Sequence, residues 1–220
     1  LLKDARHPLL GSKAVPITVS IPDNKRAVVM TGPNAGGKTV TVKTIGLLSL
    51  MIQYGIPIPA SSESIIPLFS SIHADIGDDQ SIAESLSTFS GHMKKIAQVL
   101  SHIDEHALVI LDELASGTDT HEGSALARGI IEYCLSVGCL ILVTSHHMSL
   151  KQFAYTDERV INASMEFDDN RKEPTYRVLF GSPGSSHAIE TAQRMGIPGQ
   201  VIAAAREYLE QESDKTVNMV

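Results

Sequence analysis

Apolar residues along this chain follow two alternating rhythms. Short continuous runs at residues 26–31 (RAVVMT), 107–113 (ALVILDE) and 139–145 (CLILVTS) predict strands buried on both faces. Residues 16–21 (PITVSI) predict another strand, joined to 26–31 by the turn PDNK, and residues 70–76 (SSIHADI) a further one. Between these runs the spacing is helical. Val40, Ile45, Leu48 and Ile52 predict a helix over 37–53, broken by Gly55, Pro57 and Pro59. Phe89, Met93, Ile96, Leu100 and Ile103 form the apolar stripe of a second helix, and Asp119 with Glu122 reads as the start of a third. Residues 159–165 and 175–180 resemble an antiparallel pair of strands. After the loop 181–186 (GSPGSS) come two short helices, broken at 196–199 (GIPG). This alternation predicts an α/β fold: a mixed, mostly parallel sheet flanked by helices. We divide the chain into a core, 1–180, and a small C-terminal helical appendage, 181–220, a candidate dimerisation element.

Composition narrows the classes. The chain has 220 residues, 43% hydrophobic and 20% charged, as in ordinary globular domains. No apolar run reaches membrane-spanning length and no signal-peptide pattern opens the chain, so we expect a cytoplasmic protein without a membrane partner. Cys134 and Cys139 stand in a C-x₄-C arrangement inside apolar sequence, poor spacing for zinc, and read as buried reduced thiols. The net charge of −7 argues against strong duplex DNA binding by this segment alone, and Lys94-Lys95 reads as a solvated helix face. The abrupt start LLKDARHPLL and the polar helical tail read as a piece of a longer protein.

The chemistry begins directly after the strand 26–31, at TGPNAGGKT. A structural turn needs one or two glycines. Gly32-xxxx-Gly37-Lys38-Thr39 ahead of a helix is instead the spacing of a phosphate-binding loop, in which backbone N–H groups converge on phosphate oxygens and the helix N-terminus adds positive charge. The expected nucleotide-binding set is Gly32, Pro33, Asn34, Ala35, Gly36, Gly37, Lys38, Thr39 and Val40. Lys38 can reach the β- and γ-phosphates of ATP, and the Thr39 hydroxyl can ligate Mg²⁺. The run LVILDE then places Asp112 at the C-terminal end of a buried strand, where it can share that Mg²⁺ with Thr39. Glu113, one residue on, can deprotonate an attacking water. Two solvated acids ending a strand are the plain alternative, and the phosphate loop upstream decides against it. His146 follows the strand 139–145. The pair His146-His147 raises a metal site, but a γ-phosphate sensor is better supported because no carboxylate is spaced to complete a metal set.

TGPNAGGKT, SLSTFSGHM, ILDELASGTDTHEGSALA and LVTSHH, in this order, resemble the ATPase domain of the MutS family, within the ABC-type P-loop NTPases. The resemblance runs through GIPGQVIAAAREYL. GDDQSIAESLSTFSGHM, ELASGTDTHEG and TSHH are more similar to the MutS-II subfamily than to mismatch-repair MutS. It implies Asn34 near the γ-phosphate and Ser87, in Ser87-Thr88-Phe89, at the position of the ABC-type signature, reaching the nucleotide of the opposite subunit. It further implies Asp119 in the loop passing between two sites, His146 as the switch histidine, and His7 and Ile56 near the adenine. The transporter sequence LSGGQ is absent.

The resulting expectation is a homodimeric head that binds and hydrolyses Mg-ATP, with Lys38, Ser87, Glu113 and His146 acting in catalysis. Such a head would drive a clamp acting on branched or recombining DNA, or on stalled ribosomes, through domains outside this sequence. Proteins of this kind often carry an Smr nuclease module, which this sequence lacks. Three alternatives stay open: mismatch-repair MutS itself, an ATP-dependent dimer-interaction module with little turnover, and an SMC-like head, which would need long heptad arms on both sides.

Overall fold

A computed structural model of the chain describes residues 1–32, 36–77, 88–168, 170–171, 173–182 and 188–217. Its centre is a six-stranded sheet of β3 (Ala27–Thr31), β4 (Ile72–Asp75), β5 (Leu108–Leu111), β6 (Leu140–Thr144), β7 (Val160–Asp168) and β8 (Glu173–Phe180), in the spatial order β4-β5-β6-β3-β7-β8. The pairs from β4 to β7 are parallel, and β8 returns antiparallel on β7. The fold is therefore α/β, with a mixed, mostly parallel sheet flanked by helices. Among the described residues no helix is long and apolar enough to cross a membrane.

The continuous apolar runs are explained by cover on both faces. Ala27, Val29, Val109, Leu111, Ile141 and Val143 point to one side, where α2 (Thr88–Leu100), α3 (Thr120–Val137) and α4 (Met148–Thr156) close over them. The alternate residues Val28, Met30, Leu108, Ile110 and Leu142 point to the other, against Val42, Ile45 and Leu48 of α1 (Lys38–Gln53). Each strand thus contributes to two cores with period two, and both cores demand apolar residues. Cys134 and Cys139 are buried free thiols in the first core.

Several elements differ from expectation. The strand at 16–21 forms as β2 (Ile17–Val19), but it does not join the main sheet with β3. It pairs antiparallel with β1 (Leu2–Ala5), an element the pattern does not mark. Leu2 and Ala5 are both buried although three residues apart, and a register irregularity with Asp4 at φ +51° makes that possible. Two turns of 3-10 helix, Pro8–Lys13, kinked at Gly11, follow. Helix α4 was not anticipated either; its buried Leu150, Phe153 and Ala154 are too few to show a period. Ile103 lies past the end of α2 yet still packs on its core. The last two helices are α5 (Ala188–Arg194) and α6 (Gly199–Val217), and α6 is long because no glycine or proline interrupts it after Gly199.

Asp119 caps α3 by accepting from the N–H groups of His121 and Glu122, which holds its carboxyl below the usual range. In the next turn a Cβ on Gly123 would meet the Ala115 carbonyl oxygen at 2.8 Å and Thr118 Cγ2 at 3.1 Å. Gly123→Ala gains about 1 kcal/mol of helix propensity but must push a backbone oxygen. We expect a net loss of about 1–3 kcal/mol of unfolding free energy, read from urea denaturation; net stabilisation would show that the loop 113–118 yields freely.

Candidate functional site

The strands β4, β5, β6 and β3 end together at one edge of the sheet, the place where open α/β sheets bind ligands. From β3 the chain turns through Gly32, at φ +122°, and Gly37, at φ +98°, into α1. Both backbone conformations favour glycine. No side chain caps α1 at Gly37, so its first N–H groups are directed at this edge. Pro33, Asn34, Ala35 and Ser87 lie outside the described residues.

Lys38 opens α1 with its side chain 1% exposed. Its ammonium donates to the Gly32 carbonyl oxygen and lies 3.5 Å from His146 Nε2. Burial lowers its pKa to about 8, against the opposing pull of Glu113 and Asp112. Burial, then the nearby Lys38 cation, also holds the His146 imidazole below its ordinary value. His146 is thus tied to the loop, and among the described residues no group of three or more metal-ligating side chains converges anywhere.

Thr39 and Asp112 are brought together: the Thr39 hydroxyl donates to Asp112 Oδ2 at 2.8 Å. Asp112 lies just past β5, and its other carboxylate oxygen accepts from the Thr144 hydroxyl at the end of β6. The same Thr144 hydroxyl accepts the Glu113 backbone N–H at 2.8 Å, and the Thr144 carbonyl accepts Leu114 N–H at 3.0 Å. Thr144 therefore pins the turn on which Glu113 sits at φ +49°, a strained conformation for a side-chain-bearing residue. Beside these groups is a space of about 200 Å³ lined by Thr39, Gly77, His92, Asp112, Glu113 and Ser116. A hydroxyl and a carboxylate with open room alongside fit a hard divalent cation that keeps most of its own water.

On the other side of α1's first turn is a largely apolar cavity of about 270 Å³, lined by His7, Val15, Gly37, Val40, Met165 and Tyr176 among others. Its size and lining suit a flat heterocycle. Val40 and His7 border it. Ile56, in the turn after α1, is not among the residues that line it. Tyr176 lies in β8 at φ +62°, and a Cβ on Gly37 would touch its ring at 3.3 Å. Sequence reasoning missed Thr144 and Tyr176. Thr144 was within reach, since it belongs to the same LVTSHH run as His146. Tyr176 was not, because nothing in β8's alternation marks a positive φ.

Fold and site together give an α/β domain in which a buried lysine, a hydrogen-bonded hydroxyl–carboxylate pair and an apolar cavity surround one helix N-terminus. The MutS domain V model matches residues 28–212. The chain is 49% identical, over its full length, to an "Endonuclease MutS2" of Brevibacillus brevis. It is 53% identical over 94% of its length to one of Thermomicrobium roseum, and 50% identical over 96% to one of Thermotoga maritima. The chain spans 28%, 26% and 28% of those relatives' lengths. It belongs to the MutS family, as domain V.

The buried ammonium generates a prediction with a definite sign. Lys38 has its proton below about pH 8 when folded, and below its ordinary 10.5 when unfolded. Under pH 8 both states are protonated and the burial penalty is fully present. Between pH 8 and 10.5 the unfolded chain holds more protons, so stability rises with pH. Relative to Lys38→Met, nucleotide-free wild type should therefore gain roughly 1–3 kcal/mol across that window, measured by urea titration at pH 7 and pH 10. A flat difference would show that Lys38 is not penalised by burial.

Proposed function

We propose that this chain is an ABC-type, P-loop ATPase head of a MutS-II-like protein, binding Mg-ATP at the strand ends and hydrolysing it to ADP and phosphate. The observation that carries the reading is the direct Thr39–Asp112 hydrogen bond beside the buried Lys38, with Glu113 on the next residue. Lys38 and the first N–H groups of α1 hold the β- and γ-phosphates. Thr39 and Asp112 hold Mg²⁺, which when bound neutralises charge on the phosphate oxygens. Glu113 takes the proton of the attacking water, and His146, in contact with Lys38, senses the γ-phosphate. The adenine enters the apolar cavity, with Tyr176 against its face.

The head works as a homodimer in which Ser87 of one copy completes the partner's site, a reading that rests on the family. The core, 1–180, carries the ATP site, and the C-terminal segment, 181–220, serves dimerisation; α5 and α6 pair through Arg206 with Glu190 and Gln193, and α6 exposes Val201 and Tyr208. The full protein uses the head to drive a clamp on branched or recombining DNA, or on stalled ribosomes.

Glu113→Gln keeps the size of the side chain and removes the base. It should bind ATP within about threefold of wild type and release phosphate about 100-fold more slowly. Unchanged release with intact binding would take the proton-accepting role away from Glu113. Tyr176→Ala should weaken ATP binding by about 1–3 kcal/mol while leaving the affinity for inorganic tripolyphosphate as it was, both by calorimetry. An equal loss for the two ligands would make Tyr176 a support of the Gly37 turn rather than a contact for the base.

A further inference from the structure

One titratable pair on the cation side of the site has no part in the chemistry described so far. Asp75 ends β4, next to β5 in the sheet, and its carbonyl oxygen accepts the Asp112 backbone N–H at 2.9 Å. Its carboxylate, 7% exposed, receives His92 Nδ1 at 2.6 Å, with Lys95 Nζ at 3.8 Å on the other oxygen. A buried carboxylate must be partnered, and that alone would explain a histidine beside it. It does not explain where the imidazole is placed. His92 stands on α2, and it lines the same 200 Å³ space as Thr39, Asp112, Glu113 and Ser116. It also lines the narrow cleft in which Glu113 meets α2. Two side chains able to accept a proton or a hydrogen bond thus border one space, roomy enough for water, from two elements.

The tautomer follows from the partner. A carboxylate only accepts, so Nδ1 carries the hydrogen, and in the neutral ring Nε2 is left with its lone pair. A histidine oriented through Nδ1 by a buried acid, with Nε2 presented to a reacting group, is the arrangement by which carboxylates aim imidazoles in hydrolytic sites.

We propose that His92, aimed by Asp75, accepts a hydrogen bond from the water that Glu113 deprotonates, and so fixes that water in line with the γ-phosphate. The proposal rests on the ATPase reading above. In the step, a lone pair of the water oxygen forms the new bond to the γ-phosphorus. The bond from that phosphorus to the bridging oxygen breaks, and ADP leaves with the electron pair. One water proton passes to the Glu113 carboxylate. The second stays on the new phosphate, hydrogen-bonded to Nε2 until release. His92 touches the reacting water; Asp75 acts through it and is a positioning residue.

The test uses steady-state phosphate release and binding of a fluorescent ATP analogue in the full-length protein. His92→Asn keeps an amide N–H where Nδ1 stood and so keeps the Asp75 bond, but it no longer reaches the water. We expect kcat to fall about 10- to 100-fold, with KM and analogue affinity within about twofold of wild type. His92→Gln extends an amide oxygen toward the place of Nε2 and should recover several-fold over Asn. Wild-type kcat in His92→Asn overturns the proposal, as does a joint collapse of analogue binding and turnover in both variants, which would make His92 a structural prop. Those results leave the ATPase reading standing whenever wild type turns over and Glu113→Gln does not. If wild type releases no phosphate, the ATPase reading fails and takes this proposal with it.

Discussion

An ammonium with almost no contact with water is an expensive group to fold around, and the strand-end edge of this domain is organised by what Lys38 requires. Burial dominates over the nearby Glu113 and Asp112 and leaves the amine far easier to deprotonate than a surface lysine. The Gly32 carbonyl accepts one of its hydrogens, and Gly32 and Gly37 both sit at positive φ. The carboxylates that offset the charge cannot approach freely. Each is held from behind: Asp112 by the Thr39 and Thr144 hydroxyls, the Glu113 turn by Thr144 through its backbone N–H. A polyanion entering the loop would add negative charge beside this buried ammonium.

Much of this was legible in the residues. The loop glycines and Lys38 announce themselves because few other backbones need that order. Asp112 and Glu113 drew attention because a short run such as LVIL between helical stretches reads as a strand covered on both faces, and strand ends in open sheets face ligands. What escaped has physical reasons. β1 has two buried residues at a spacing that fits neither period. α4 is too short for a stripe to emerge. Thr144 looks like an ordinary strand residue until the register places it level with Met30 and one strand from Asp112. Tyr176 and His92 owe their positions to tertiary packing, a left-handed backbone in one case and a carboxylate from another strand in the other.

The sheet order also has a consequence for how the chain comes to be folded. β3, the strand that leads into the loop, is among the earliest made, yet its neighbours on both sides are β6 and β7, late in the chain. During synthesis, Ala27–Thr31 emerges as a segment that is apolar except for Thr31, with two open hydrogen-bonding edges. Neither can be satisfied natively until residue 140 has left the ribosome, and the second not until residue 160. Pairings that distant in sequence close slowly, and an unpaired apolar strand invites foreign partners meanwhile. β3 is thus the first strand of the sheet to be translated, yet its two edges are closed only when β6 and β7 arrive, and its exposure lasts longer the more slowly they come.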